Sequence, residues 1–440
     1  MITKTPTVFE FEHLSSDQSA SQANGYTYIS KHDFQYLELR CLSDDSSGFS
    51  QLMQPRFRGG HRLLQVKNYV GVIFVPSGNH IEVLPKTGKT ETASAASYAQ
   101  ARKTLLRMLQ ALGEFRHIPL ESASLETLKL PLLEIFITHF LQSVNHIVKR
   151  GLRSDYVSQE ENLLTKRGKL NVTKQIRHNA VQQQRFYCEF DEYLHDRPAN
   201  RLIKSALMKV EAVIKSSHNQ KLAKELSFHL DAVPVSQHYT QDFDKLHLDR
   251  GMAYYKPALA WARLILNNIS PVSMRGQADA PSLLFPMEAV FEAFVAQELR
   301  KQLKDGYHLR TQSTRLSLVK YNDKALFTLK PDLMIEQNDE VKYVLDTKWK
   351  LIDATDEQNK FGLSQADFYQ MYAYGQKYLK GEGSLFLIYP STEQFNAPIK
   401  YSFDFDDKLK LWVVPFEIKI DSDSLLHLPD GNYLLKQESS

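Results

Sequence analysis

The strongest constraint on the fold of this chain is a pair of strand-like segments near its C-terminal end. The segments are PDLMIE at 331–336 and YVLDTKWK at 343–350, and a polar turn at 337–340 lies between them. Because side chains two residues apart lie on the same face of a strand, Asp346 and Lys348 project together. The residues that alternate with them and point into a core are Tyr343, Leu345, Thr347 and Trp349. The pattern predicts a β-hairpin with one charged and one apolar face.

The charged face of this hairpin brings chemistry-bearing side chains together. Folding the chain back about residue 339 places Asp332 opposite Asp346, to within one residue of register. Two carboxylates and the Lys348 ammonium then converge on one exposed patch of sheet. Carboxylates bind Mg²⁺, the bound metal polarises a phosphate and lowers the pKa of a water, and a lysine positions that water or screens developing charge. The alternative is a hairpin with charged residues on its solvated face. The proline before Asp332, the apolar alternation and the surrounding helices favour a metal-dependent nuclease.

Amphipathic segments flank the hairpin on both sides. Residues 286–303 predict a helix with Pro286 in its first turn, and its apolar stripe consists of Val290, Phe291, Phe294, Val295 and Leu299. Glu288 and Glu292 lie at the margin of that stripe, where each faces either an adjoining site or solvent.

A second predicted helix spans 363–381, and its Gln370 and Tyr374 share a face. At that position Gln370 can hydrogen-bond a water or a phosphate oxygen. The alternative is that this helix face has only a packing role, with its aromatic residues in the core and at its rim. Strands at 311–320, 324–336, 384–390 and 411–420 complete a predicted α/β arrangement with a mixed sheet.

The order of these residues resembles the PD-(D/E)xK nuclease superfamily. The matching elements are Glu292, Pro331-Asp332, Asp346-x-Lys348 and Gln370-x-x-x-Tyr374, the last as in the RecB-like branch. Asp346 stands where glutamate is also frequent.

Four longer stretches look like the McrC subunit of McrBC modification-dependent restriction systems, and this resemblance runs from about residue 60 to 390. They are NYVGVIFVPSGNHIEVLPK (68–86), KRGLRSDYVSQEENLLTKRGKL (149–170), EFDEYLHDRPANRLIKSAL (189–207) and FPMEAVFEAFVAQEL (285–299).

The resemblance implies an endonuclease subunit that uses Mg²⁺, with Mn²⁺ as an alternative, and cuts double-stranded DNA carrying 5-methylcytosine. The implied metal ligands are Asp332, Asp346, Glu292 (directly or through water) and the backbone carbonyl of Thr347. Lys348 would orient or activate the attacking water, and Gln370 would position water or phosphate. The implied partner is a hexameric McrB-like AAA+ GTPase, whose hydrolysis the N-terminal region stimulates. Two alternatives are a stand-alone RecB-like defence or repair nuclease, and a non-cleaving activator of an AAA+ GTPase.

The length of 440 residues predicts two or three domains, and the pattern along the chain predicts a multidomain α/β protein with three parts. Residues 1–95 form a small β-rich domain, which begins with a polar, frayed stretch over 1–25 and which the resemblance implies docks the partner. Residues 96–280 form a mainly helical linking region, and 281–440 form the nuclease domain, whose mixed sheet is flanked by helices. The predicted helices before the nuclease domain span 31–40, 98–112, 131–148, 200–214 (capped by Asn200) and 255–269, and a polar link spans 274–282.

The composition restricts the remaining function classes. The net charge of +3 is nearly neutral, so a DNA-contacting surface has to be a local patch. Candidates are two basic stretches, either solvated loops or contacts to partner or phosphate, formed by Arg56, Arg58 and Arg62 and by Lys166, Arg167 and Lys169. Two cysteines are too few for a disulfide framework, and the apolar stretch at 130–141 is too short to span a bilayer, which predicts a cytoplasmic protein. The resemblance implies that this cytoplasm is bacterial. PKTGKT at 85–90 lacks the first glycine of a phosphate loop, so no nucleotide is expected on this chain.

Overall fold

A computed structural model of the chain describes residues 5–42, 49–88, 95–112, 130–182, 184–267, 282–312, 314, 316–420, 422–429 and 434–435. These residues form a mixed α/β structure with several sheets. The chain divides into two compact units, of which the first combines Met1–Lys129 with Pro271–Ser440 and the second is Leu130–Ser270. The three-part division at 95 and 280 stays a prediction. Of the predicted link at 274–282, only Ser282 belongs to the described residues.

The described strands are β1 (Thr7–Phe9), β2 (His13–Ser15), β3 (Thr27–Tyr28), β4 (Met53–Arg58), β5 (His61–Val66), β6 (Tyr69–Phe74), β7 (His80–Leu84), β8 (Asp155–Leu163), β9 (Lys169–Leu170), β10 (Phe186–Leu194), β11 (Ser282–Pro286), β12 (Tyr307–Thr311), β13 (Ser317–Tyr321), β14 (Lys324–Thr328), β15 (Leu333–Gln337), β16 (Glu340–Thr347), β17 (Gly383–Pro390), β18 (Phe403–Asp404), β19 (Leu409–Glu417) and β20 (Leu425–Leu426). The described α-helices are α1 (Gln18–Asn24), α2 (Lys31–Leu42), α3 (Phe49–Leu52), α4 (Ala95–Leu109), α5 (Leu132–Arg150), α6 (Val172–Asn179), α7 (Pro198–Glu211), α8 (Ser217–His229), α9 (Tyr239–Asp244), α10 (Lys256–Asn267), α11 (Met287–Gln302) and α12 (Gln365–Tyr378).

The N-terminal part of the first unit contains two four-stranded sheets, with the orders β3-β2-β5-β4 and β1-β7-β6-β11. The prediction of a frayed stretch over 1–25 was wrong for the described residues. Val8 and Leu14 are fully buried, and β1 pairs in parallel with β7. Asp17 caps α1 by accepting a hydrogen bond from the Ala20 amide. Strands of three residues are too short to show a periodic pattern, so they could not be predicted from the sequence.

The second unit is built on helices α5 to α10, and the helices predicted at 131–148, 200–214 and 255–269 are confirmed to within a few residues. Its antiparallel sheet, in the order β8-β10-β9, was missed. β8 reads DYVSQEENL, whose many polar residues give no apolar alternation.

Asn200 was predicted to cap α7, but that helix begins earlier, at Pro198. Asn200 is buried instead. Its side-chain amide donates to the carbonyls of Arg153 and His195, and its oxygen accepts from the Tyr255 hydroxyl. The residue is therefore structural, as a buried junction rather than a helix cap.

The largest sheet has the order β12-β15-β16-β17-β19-β18, with β20 paired to β19. β15 and β16 form the predicted hairpin, closed by Asn338 and Asp339 at φ 51° and 62°, values typical of a type I′ turn. β16, β17 and β19 are parallel, and β17 reads as the continuous apolar run expected of an inner parallel strand.

Helices lie on both faces of this large sheet. Rings of Phe291 and Phe294 in α11 pack against Phe416 on one face. On the other face α12 contributes to the cluster that contains Val344 and Leu385. The helices predicted at 286–303 and 363–381 and the strands predicted at 384–390 and 411–420 are thereby confirmed.

A candidate metal centre on the large sheet

The hairpin register brings the two predicted metal-binding acids together. Leu333 pairs with Leu345, so the next position of the same register sets Asp332 opposite Asp346. The expectation of an exposed patch was wrong, because Asp346 is only 1% exposed. It lies on the face of β16 that α12 covers, a tertiary contact that the strand pattern could not reveal.

Burial dominates the electrostatics of Asp346. Burial raises the pKa of its carboxyl, and the nearby Asp332 charge raises it further, while Lys348 opposes both effects. Neither carboxylate oxygen accepts a well-oriented hydrogen bond, although the Lys348 ammonium lies 2.6 Å from Oδ2. The two groups form an ion pair without that orientation, because the attraction between opposite charges depends little on angle.

Asp332 is held by the residue after Asp346. Its Oδ2 accepts hydrogen bonds from the Thr347 backbone N–H at 2.8 Å and from the Thr347 hydroxyl at 2.7 Å. These bonds fix the orientation of the carboxylate and leave Oδ1 available. Metal binding by the Thr347 carbonyl stays a prediction.

Lys348 is surrounded by acceptors. Besides Asp346, its ammonium donates to Gln370 Oε1 at 3.2 Å and lies 3.7 Å from Asp367 Oδ1. Burial lowers the pKa of this lysine, but the charges of Asp346, Asp367 and Asp332 outweigh that effect and raise it above its ordinary value. The side chain is therefore a charged donor at neutral pH.

Gln370 is oriented by a chain of hydrogen bonds on α12. Its Nε2 donates to the Tyr374 hydroxyl at 2.8 Å, and that hydroxyl donates to the Lys330 carbonyl at 2.9 Å. The amide oxygen of Gln370 consequently faces Lys348. The predicted pair at i and i+4 thus links the helix to the segment that leads into Asp332.

Glu292 and Glu288, which the sequence left open, have different surroundings. Glu292 accepts a hydrogen bond from Gln312 Nε2 at 3.0 Å, and burial together with the Asp332 charge raises its pKa to about 7. Glu288 is exposed and accepts from Asn68 Nδ2 at 3.0 Å. Of the two acids, Glu292 is the one beside Asp332.

The donor chemistry of this centre fits a hard divalent cation. Asp332, Asp346 and Glu292 offer only oxygen ligands, and burial, followed by repulsion from the Asp332 charge, raises the pKa of Glu292 and of Asp346. A bound cation would relieve that repulsion. Within the described ranges, no three acidic, histidine or cysteine side chains are already close enough to form a complete metal site. The carboxylates would therefore have to close in around an ion.

Comparison with known proteins identifies the family. The family model described as "McrBC 5-methylcytosine restriction system component" matches residues 64–390. The chain belongs to the McrBC family. The prediction made from the four sequence stretches is confirmed at this level. No curated protein matches the chain significantly.

Solved McrBC assemblies from Thermococcus gammatolerans resemble this chain. One is a refined half-complex from a tetradecameric assembly of McrB AAA+ hexamers with bound McrC; it is 20% identical, with a TM-score of 0.67, and the match covers 95% of this chain and 96% of that chain. At this identity the likeness shows a shared fold. A cryo-EM structure of the McrBC complex is 22% identical, with coverage of 66% of this chain and 86% of that chain and a TM-score of 0.47.

Two features of the centre escaped the sequence analysis. Asp367 precedes Gln370 by three residues, and this helical spacing could have signalled that both face Lys348. The second feature is Glu10, whose carboxylate accepts from the Trp349 indole N–H at 2.9 Å. The two residues are 339 positions apart, and no local pattern could predict their contact.

The first basic stretch forms the tip of the β4–β5 hairpin. Arg56 and Arg58 are exposed there, and Arg56 Nε donates to Gln65 Oε1 at 3.1 Å. Arg62 is already paired with Glu38 at 2.6 Å. Arg56 and Arg58 are therefore freer than Arg62 to meet another molecule.

The second basic stretch lies between β8 and β9. Its Lys166 is exposed, the Arg167 guanidinium stacks 4.1 Å from the Phe190 ring centre, and Lys169 is in β9 opposite Glu189. Arg167 thus has a structural contact.

Across the described residues, no helix combines the length and apolarity needed to cross a membrane.

Proposed function

We propose that this chain is the McrC-type endonuclease subunit of a McrBC-like restriction complex. It would cut double-stranded DNA carrying 5-methylcytosine, in the bacterial cytoplasm, through a PD-(D/E)xK domain at 281–440. The observation that carries the proposal is the buried Asp346 carboxylate beside Asp332, with the Lys348 ammonium 2.6 Å away. A hairpin with its charged residues on a solvated face would leave Asp346 exposed. Here Asp346 is buried, and burial raises the pKa of its carboxyl.

The partner we propose is a hexameric McrB-like AAA+ GTPase that this chain stimulates. Support comes from the family match over residues 64–390 and from the shared fold with an assembly of McrB hexamers and McrC. The β-rich segment at 1–95 would dock the ring, with Arg56 and Arg58 as contacts, and Lys166, Arg167 and Lys169 form a second candidate surface.

Each residue of the centre has a role in the proposed cleavage. Asp332, Asp346 and Glu292 would hold Mg²⁺ or Mn²⁺, together with the Thr347 carbonyl. The cation, when bound, supplies charge neutralisation at the phosphate and a water of lowered pKa. Lys348 donates hydrogen bonds to the attacking water or a phosphate oxygen. Because its pKa is raised, it acts as a charged donor rather than as the base. Gln370, fixed by Tyr374, would position the same water or oxygen.

The test compares wild type with Asp346→Asn, which removes one charge without changing the shape of the side chain. Methylated and unmethylated plasmids are incubated with Mg²⁺, with and without the AAA+ partner and GTP. We expect wild type to cut only methylated DNA and only in the full mixture. Asp346→Asn should cut at least about a thousandfold more slowly while stimulating GTP hydrolysis normally, since transition-state charge stabilisation is lost.

The other outcomes separate the alternatives. Cutting by wild type with Mg²⁺ alone would indicate a stand-alone RecB-like nuclease. Stimulation of GTP hydrolysis without cutting by either protein would indicate a non-cleaving activator. Equal cutting by wild type and Asp346→Asn would refute the assigned centre.

A further inference from the structure

A segment of the chain leaves the large sheet and returns to it at the candidate metal centre, and both of its ends are fixed there. Where it leaves, the Gln312 backbone N–H donates to the Asp332 carbonyl at 3.0 Å, and the Gln312 side chain donates to Glu292. Where it returns, the Tyr374 hydroxyl donates to the Lys330 carbonyl. The position of the segment is therefore coupled to the residues proposed to cut.

The described part of this segment, residues 316–330, is a protruding hairpin. β13 and β14 are antiparallel, and Asn322 and Asp323 close them at φ 48° and 61°, a type I′ turn. Every residue of β14 is exposed, and so is β13 after Ser317. The 316–330 hairpin forms a sheet of its own with two strands, and such hairpins are marginal in water without a further surface.

The side chains of the 316–330 hairpin are unusually apolar for a solvent-exposed element. Its exposed apolar residues are Leu316, Leu318, Val319, Tyr321, Leu326 and Phe327. Tyr321 is 74% exposed and Phe327 is 72% exposed. Phe327 also has φ 57°, a left-handed conformation that bulky residues rarely adopt. Strained backbone conformations of this kind cluster at functional sites of proteins.

The positive charge of the 316–330 hairpin indicates a negatively charged partner. Residues 316–330 contain three lysines and one acid, and the lysines are Lys320, Lys324 and Lys330. Lys324 lies directly opposite Tyr321, so one basic and one aromatic side chain are neighbours on the same face. Lysines bind phosphates, while apolar and aromatic side chains fit the minor groove and the base steps of DNA. Two copies of the hairpin facing each other would instead bring like charges together.

We propose that the 316–330 hairpin grips the DNA duplex next to the phosphate that is cut. Lys320 and Lys324 contact the backbone phosphates, and Tyr321 and Phe327 lie against sugars and base edges in the minor groove. The anchors at Gln312 and Lys330 then set the position of the scissile phosphate relative to Asp332. This inference rests on the proposed nuclease function and names how its substrate is held.

The test measures binding of the full-length chain to a short labelled duplex, with Ca²⁺ in place of Mg²⁺, at several salt concentrations between about 50 and 200 mM. Lys320→Gln/Lys324→Gln should lower the affinity about tenfold. The slope of log affinity against log salt concentration should fall by the amount that corresponds to about two phosphate contacts. Phe327→Gly should also lower the affinity while leaving the unfolding temperature unchanged or higher, because glycine accepts the left-handed conformation. Matched controls are Lys221→Gln/Lys224→Gln and Phe228→Ala, at exposed positions of α8, and these should bind as wild type does.

Three results would overturn the inference. The first is unchanged affinity in both hairpin variants, and the second is no binding by wild type across that salt range. The third is a change of sedimentation coefficient in the hairpin variants at unchanged DNA affinity, which would assign the hairpin to a second copy of the chain. The nuclease proposal fails separately: binding that depends on the hairpin, with no cutting by wild type in Mg²⁺ with or without the AAA+ partner, would refute the nuclease function and leave the hairpin as a DNA contact without a role in cleavage.

Discussion

At the scale of single residues, burial and repulsion between acids both favour the protonated form of two carboxyl groups in the candidate metal centre. Burial raises the pKa of both Glu292 and Asp346, and the Asp332 charge raises each of them further. A carboxyl group with a raised pKa binds its proton more tightly in the folded than in the unfolded state. Its contribution to stability is therefore fully present below the unfolded pKa near 4.5 and is lost as the pH rises through about 7. This is the electrostatic cost that a cation would offset.

Glu292→Gln should make the protein more stable at pH 8 than wild type, by about 1 to 2 kcal/mol after discounting for solvent screening, and should change little at pH 4. Urea unfolding at the two pH values measures the difference. Mg²⁺ should stabilise wild type at pH 8 and stabilise the variant less. The matched control is Glu288→Gln, the exposed acid one turn earlier on α11. An identical pH dependence in wild type and Glu292→Gln would contradict the assigned electrostatics.

At the scale of elements, α12 completes the candidate site by covering the end of β16 that carries Asp346. It covers Asp346 and places Gln370 and Asp367 next to Lys348. The helix packs closely because Gly375 has no Cβ. A Cβ atom at that position would lie 2.6 Å from a Leu409 methyl group. The sequence predicted the helix and the pair Gln370 and Tyr374. It did not predict the burial.

Tyr374→Phe removes the hydroxyl that accepts from Gln370 and donates to the Lys330 carbonyl. We expect a loss of about 1 kcal/mol in the free energy of unfolding and about a tenfold fall in kcat at unchanged KM, because Gln370 loses its orientation. The control is Tyr378→Phe one turn later, whose hydroxyl contact to the Leu329 carbonyl is 3.4 Å long. Equal kcat values for the two variants would show that the hydrogen-bond chain does not position the centre.

How much the sequence predicts follows from how local each element is. The β15–β16 hairpin, α11 and β17 carry their own periodicity, so their existence and the pairing of Asp332 with Asp346 could be predicted. The β8–β10 pair has too few apolar residues to show an alternation. Burial of Asp346 depends on where α12 packs, and the contact of Glu10 with Trp349 joins distant parts of the chain. Both are properties of the tertiary fold.

At the scale of the whole molecule, the first unit is formed by both ends of the chain. β11, which directly precedes α11, pairs antiparallel with β6, and its Leu284 belongs to the N-terminal apolar core. Lys86 donates to the Trp349 carbonyl at 3.0 Å, and Glu10 accepts from the Trp349 indole. Trp349 directly follows Lys348. The region proposed to dock the partner therefore contacts the strand end that carries the proposed catalytic lysine.

This arrangement predicts how a nuclease fragment behaves alone. A fragment of residues 281–440 loses the strand partner of β11 and the cover of Leu284 and Phe285, each of which contributes about 1.5 to 3 kcal/mol when buried. It also leaves the Trp349 indole without its acceptor, at a cost of about 1 to 3 kcal/mol. We expect its unfolding temperature, measured by circular dichroism, to lie at least about 10 °C below that of the full chain. Adding residues 1–112 as a second fragment should restore most of the loss. A fragment that is as stable as the full chain and cuts DNA would instead support an independent nuclease domain with its boundary near residue 280.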